Sequence, residues 1–160
     1  MPRKLSHVDA SGRIRMVDVS EKTVTSRVAV ARGRVFMRRA TLAMVREERG
    51  PKGNVLATAH VAGVMAAKRT GALIPLAHDV PLDGVEIAFS LDEESSSVGI
   101  EARVRARGRT GVEMEALTAA MAAALTLYDM LKAVDRGMLM GEFALWEKRG
   151  GRRGDYRRPS

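Results

Sequence analysis

Two charged pairs, one lysine-bearing turn and one loop histidine in this sequence have the residue types that move protons or hold an anion. Asp129 and Lys132 are three residues apart, a spacing that on a helix sets a carboxylate beside an ammonium group. They follow residues 116–128, a run of 13 residues without a charge, and a carboxylate meeting an apolar surface is ion-paired or chemically active. Glu113 and Glu115 open the same predicted helix, where carboxylates complement the dipole by about 0.3–1 kcal/mol and point to different sides. Lys52 lies in the turn Gly50-Pro51-Lys52-Gly53, just before a second predicted helix. Backbone N–H groups and the dipole favour an anion there, and Lys68 lies about four turns further on. His78 follows the loop segment Leu73-Ile74-Pro75-Leu76-Ala77, and loops carry function more often than their share. Each group also has a plain structural use: a surface ion pair, dipole compensation, a glycine turn, a hydrogen-bonding histidine.

Other chemistries are poorly served. The chain has no cysteine, which removes a thiol nucleophile, a disulfide scaffold and a Cys-ligated zinc. His7 and His60 lack metal-ligand spacing with His78, so no metal site is expected. Neither a Walker-type loop nor a Gly-x-Ser-x-Gly elbow occurs.

The elements that must carry these residues follow from pattern. Residues 24–37 read as a long strand, 41–48 as a short helix, and 54–73 as a helix with Asn54 as its N-cap. Residues 85–91 and 98–106 alternate as a hairpin around a polar turn, 112–134 form the longest helix, and 138–146 form a final strand. That order predicts an α+β fold, an antiparallel sheet with helices packed on one face. The middle of the long helix, with Ala119, Ala120, Ala122, Ala123 and Ala124, has little side-chain volume, so another helix can approach closely. Along this helix Glu115 and Asp129 share a face but are roughly 21 Å apart. One small substrate cannot bridge them within a subunit, so joint action predicts an antiparallel helix pair across a two-fold axis.

The 160 residues suit a single domain, and 46% apolar content rules out a disordered chain. The formal charge of +8 invites an anionic partner. Lys148, Arg149, Arg152, Arg153, Arg157 and Arg158 against Asp155 put +5 of it in the last stretch, a basic tail, 148–160, read as a loose or docking arm. The start lacks the apolar core of a signal peptide and the 13-residue run is too short to span a bilayer, so a cytoplasmic protein without membrane contact is expected. Two further classes compete with an enzyme. A helix, Gly50-Pro51-Lys52-Gly53 and a second helix resemble the clamp of a KH RNA-binding module, and a purely structural oligomer would use only the alanine face. Neither gives the acidic helix start or the Asp129/Lys132 pair a task, so no nucleic-acid partner is expected.

Met16-Val17-Asp18-Val19-Ser20, Lys52-Gly53-Asn54-Val55, Ala66-Ala67-Lys68-Arg69-Thr70, Leu73-Ile74-Pro75-Leu76-Ala77-His78, Thr110-Gly111-Val112-Glu113-Met114-Glu115-Ala116-Leu117-Thr118-Ala119 and Tyr128-Asp129-Met130-Leu131-Lys132-Ala133-Val134 occur in this order. Together they resemble the cyclic pyranopterin monophosphate synthases of molybdenum cofactor biosynthesis, over almost the whole chain. The resemblance implies a ferredoxin-like subunit, a homohexamer built as a trimer of dimers, and active sites at the dimer interface. It implies conversion of a cyclised dihydroguanosine triphosphate to cyclic pyranopterin monophosphate and diphosphate, in a lyase reaction. Asp129 is implied as general acid/base, with Lys132 its partner and Lys52 a further catalytic residue of the site. Substrate contacts are implied from Leu76, Ala77, His78, Glu113, Met114 and Glu115, with Lys68 and Lys148 around the same site. No resident cofactor is expected beyond a Mg²⁺ that accompanies the triphosphate. Ala77, Asp79, Asn54 and Leu131 depart from the family's usual Cys, Pro, Asp and Cys; Ala77 requires that any contact there use backbone.

Overall fold

A computed structural model describes residues 7–9 and 11–159. The chain runs β1 (Thr25–Phe36), α1 (Arg39–Arg46), α2 (Val55–Ala67), α3 (Thr70–Leu73), β2 (Leu82–Asp92), β3 (Ser97–Gly108), α4 (Glu113–Leu131), β4 (Leu139–Arg149) and β5 (Tyr156–Arg157). The strands form one antiparallel sheet in the order β2-β3-β1-β4-β5. Read from the other edge, β4-β1-β3-β2 is the split β-α-β arrangement of a ferredoxin-like α+β fold.

Alternation decides which face is buried. In β3, Val98, Ile100, Ala102, Val104 and Ala106 are all buried, while Glu101, Arg103 and Arg105 point the other way: Glu101 and Arg105 join cross-strand ion pairs with Arg32 and Glu86, and Arg103 pairs with Glu101 along the strand. The register matches Val104 with Ala29 and Val85, and Ala102 with Ala31 and Ile87, so the apolar sides of three strands coincide. Helices α2 and α4 cover that side. By length and composition alone α4 is the one described helix apolar enough to cross a bilayer, but Ala116, Ala119, Ala120, Ala123, Ala124 and Leu127 are spent on the core.

The close approach expected at the alanine face is made inside the subunit. A Cβ added at Gly63 of α2 would stand 3.1 Å from the Ala119 carbonyl, so glycine lets the two backbones meet. The alanine stripe is therefore covered by α2, not left vacant for a neighbouring subunit. What remains outside is a second stripe: Met114, Met121 and Leu125 on α4, and Val61 and Met65 on α2, all exposed.

Two further expectations change. Residues 54–73 are not one helix: the Thr70 hydroxyl donates to the Ala66 carbonyl at 3.2 Å, and the helix breaks at Lys68 and Arg69 before α3. Asn54 does cap α2, accepting from the Ala57 N–H at 2.9 Å. The final strand runs on through Lys148 and Arg149, and the tail returns beside it as β5, with Tyr156 opposite Lys148. Of the two readings of the tail, the docked arm is the observed one.

Candidate active site

Helix α4 carries a cluster at each end. At its C-terminal end Asp129 is gripped from both sides: Lys132 approaches one carboxylate oxygen at 2.7 Å and Lys52 the other at 3.0 Å. Lys132 arrives by the i,i+3 spacing of one helix; Lys52 arrives from the turn between α1 and α2. Glu48 closes α1 at a positive φ of 54°, and the Gly53 N–H bonds to the Gly50 carbonyl at 3.1 Å. That tight turn ends beside α4 because α2 runs antiparallel to it. The hydrogen bond from Lys132, then that from Lys52, then both charges hold the Asp129 carboxyl below the usual carboxylate range. The same contact raises the Lys132 ammonium above its ordinary value. All three side chains are about half-exposed.

At the N-terminal end lies a cavity of about 730 Å³ lined by Leu76, Ala77, His78, Glu113, Met114, Glu115 and Lys148, among others. Six cations (Lys22, Arg27, Arg109, Lys148, Arg152 and Arg153) face it against two carboxylates, Glu113 and Glu115. Glu113 lies 3.8 Å from Lys148 and folds back against Gly111, where any Cβ would collide with its carboxylate. Glu115 is only 4% exposed; burial, and after it the neighbouring Glu113 charge, push its carboxyl above the ordinary value. His78 bonds through Nε2 to the Val17 carbonyl at 2.7 Å, which pins the segment carrying Val17 and Val19 as one wall.

The sequence reading missed the wall's strongest feature. Arg27 is 8% exposed and bonds to the Gly108 carbonyl through Nε at 3.2 Å, with no carboxylate partner among the described residues. A buried cation without a counter-ion is costly unless an anion joins it. Arg27 shares the inward parity of Ala29, Ala31 and Val35 in β1, a signal that is readable only once that side is known to open on a cavity. Gly151, at φ 86°, packs so closely on the guanidinium that a Cβ would strike it, which brings Arg152 and Arg153 to the rim. Of the expected residues, Lys68 joins neither cluster; it caps α2 at the pocket end, exposed and outside every ion pair among the described residues.

A family model described as the MoaC family matches residues 16–151. The chain belongs to the MoaC family. Similar proteins named cyclic pyranopterin monophosphate synthase occur in Thermomicrobium roseum, 60% identical over 97% of this chain and 93% of that one, and in Chloroflexus aurantiacus, 56% identical over 98% and 96%. Another, from Heliobacterium modesticaldum, is 57% identical over 95% of this chain and 96% of its own length. The MoaC-family stretch contains Asp129, Lys132, Lys52 and Arg27, and stops just short of Arg152 and Arg153. Within it Ala77 lines the cavity with its N–H committed to the Ile74 carbonyl at 3.0 Å. Leu131, the departure that falls on α4, is fully buried core.

Proposed function

We propose that this chain synthesises cyclic pyranopterin monophosphate, as the names of its relatives state for them, from a cyclised dihydroguanosine triphosphate. Diphosphate leaves, in a step of molybdenum cofactor biosynthesis. The observation that carries the reading is the division of labour along α4: an ionised carboxylate between two ammonium groups at one end, a cation-lined cavity at the other. Rearranging the purine ring moves protons among nitrogen, carbon and oxygen. Asp129, held ionised, accepts a proton, and Lys132, held protonated, returns one; such catalysis is worth about 10²–10⁴-fold. Closing the cyclic phosphate breaks the bond from the α-phosphorus to the diphosphate, whose growing negative charge needs cations already in place. Arg27, Arg109, Lys148 and the rim arginines are placed for that task, with Leu76, Ala77, His78, Met114 and Glu115 against the rest of the substrate.

Because roughly 21 Å separates Glu115 from Asp129, we place the complete site between two copies. The exposed stripe of Met114, Met121 and Leu125 ends about one turn before Asp129, so an antiparallel partner helix would bury the stripe. It would also deliver each Asp129 cluster to the other's cavity. A hexamer of three such dimers is the assembly this reading expects, in the cytoplasm, where nucleoside triphosphates are held. Among the described residues no three His, Asp or Glu side chains converge as a metal site. A Mg²⁺ arriving with the triphosphate is read as riding on phosphate oxygens.

The test mixes Asp129→Asn, defective in chemistry, with Arg27→Met, defective in binding, at a substrate concentration far below the KM of Arg27→Met, where each variant alone makes little product. If sites are shared, exchanged subunits recover roughly a quarter of wild-type product formation, since half the dimers then hold one intact site of two. No recovery after verified subunit exchange rejects the shared site, and full activity of Asp129→Asn alone rejects the chemistry.

A further inference from the structure

Asp135 is a buried carboxylate that neither cluster uses. It is 5% exposed, and it lies three residues beyond Lys132 in the turn that ends α4. One of its oxygens accepts from the Arg38 N–H at 2.9 Å and the Thr41 hydroxyl at 3.0 Å; the other accepts from the Gly137 N–H at 3.2 Å. The Arg38 guanidinium stands 3.5 Å away and donates a further bond to the Val134 carbonyl. Helix α1 has no side-chain cap of its own at Arg38, and a carboxylate 97 residues distant in sequence satisfies the Arg38 N–H, the bond that a residue in the helix's own first turn makes in a capping box. Burial alone would raise this carboxyl, but the bonds from Arg38 and Thr41 and the Arg38 charge hold it below the ordinary value.

The contacts close a ring. Asp135 fixes the end of α4 through its own N–H, bonded to the Leu131 carbonyl at 3.0 Å, and one turn back on that helix stand Lys132 and Asp129. From the clamp, α1 buries Thr41, Leu42 and Val45 in the core and leads into the turn that returns Lys52 to Asp129 at 3.0 Å. The two segments that carry the Lys52–Asp129–Lys132 cluster are thus joined at one end by that cluster and at the other by Asp135.

We propose that Asp135 is a positioning residue for the acid–base cluster: it sets the distance from Lys52 to Asp129 by clamping the start of α1 to the end of α4. The inference rests on the proposed function for the meaning of the cluster, but not for the geometry. Loosening the clamp separates Lys52 from Asp129 without touching the cavity that holds the triphosphate. A misplacement of about 1 Å in such a group costs up to about 10²-fold in turnover.

The experiment compares Asp135→Asn and the milder Thr41→Val with wild type by steady-state kinetics and by NMR titration of the Asp129 carboxyl carbon in the folded protein. Expected for Asp135→Asn are a kcat lower by about tenfold or more, a KM within about twofold, and an Asp129 titration moved up toward the ordinary carboxylate value. Thr41→Val moves both in the same direction by less. An Asp129 titration and a kcat unchanged in folded Asp135→Asn overturn the proposal, whatever the loss in Tm. Should that variant not fold, an unchanged titration in Thr41→Val overturns it equally. A moved titration with unchanged turnover upholds the clamp and instead removes Asp129 from the chemistry, so the two readings fail separately.

Discussion

The two ends of α4 hold charge in opposite ways. At the C-terminal end opposite charges meet at short range in the open: Asp129 between Lys52 and Lys132, all about half-exposed. At the N-terminal end six cations face a cavity against two carboxylates, and Arg27 and Glu115 are buried there with neither given an opposite partner among the described residues. The first arrangement fixes protonation states and spends little, since water screens exposed pairs and leaves them only a small share in folding. The second stores an unmet demand for a counter-ion, which is what a site for a polyanion requires. The ion-paired cluster and the cation-lined cavity are thus built in separate places, and the length of one helix keeps them apart in a single subunit.

Changes at each end should therefore fail differently. The largest effect is expected from Asp129→Asn or Lys132→Ala: product formation falls by about 10²–10⁴-fold with substrate affinity retained, measured by single-turnover kinetics beside equilibrium binding. Near-normal turnover by either variant would erase the distinction. Arg27→Met, similar in bulk, should do the reverse. Loss of a charge-assisted bond of about 1.5–3 kcal/mol weakens triphosphate affinity by roughly 10–100-fold, read by calorimetry, and leaves the Asp129 titration where it was.

Lys52→Ala sharpens the contrast. Lys52 bonds directly to Asp129, so its removal should raise the Asp129 carboxyl toward its ordinary value and shift the acid limb of kcat upward. An effect on affinity alone would move Lys52 into the anion site. The smallest effect is a stability difference at Glu115. Its carboxyl is raised in the folded state, so between the ordinary carboxylate value and the raised one the native protein binds more protons than the unfolded chain. Stability then falls as pH rises through that window. Glu115→Gln lacks that penalty and should gain Tm over wild type as pH rises, by roughly 2–4 °C for each kcal/mol; a difference constant with pH would contradict the buried charge.

Much of this was legible in the residues. Period-two alternation in β2 and β3, the Asn54 cap and the 3.6-residue pattern of α4 are local properties, written in side-chain type and spacing. The Asp129/Lys132 pair is equally local, needing only one turn of helix. Lys52 was visible as a cation in a turn, but not as a partner of Asp129, because that contact joins residues 77 apart. Arg27 was hidden among eleven other strand residues, since inward parity matters only once the inward side is known to open on a cavity. The break at Lys68, the return of the tail as β5 and the clamp at Asp135 lay beyond pattern for a related reason: each depends on a partner that folding supplies.

The sequence by itself determined the element types, the α+β order, the family and the Asp129/Lys132 ion pair, because periodicity, capping, local motifs and short-range spacing act within a few residues of chain. Only the tertiary structure decided that α2 covers the alanine stripe and that a second apolar stripe stays outside. It alone joined Lys52 to Asp129 and left Arg27 buried without a counter-ion among the described residues. Those outcomes depend on which surfaces meet, and long-range contact is set by the packing of the whole sheet and its helices, which no local window of residues contains.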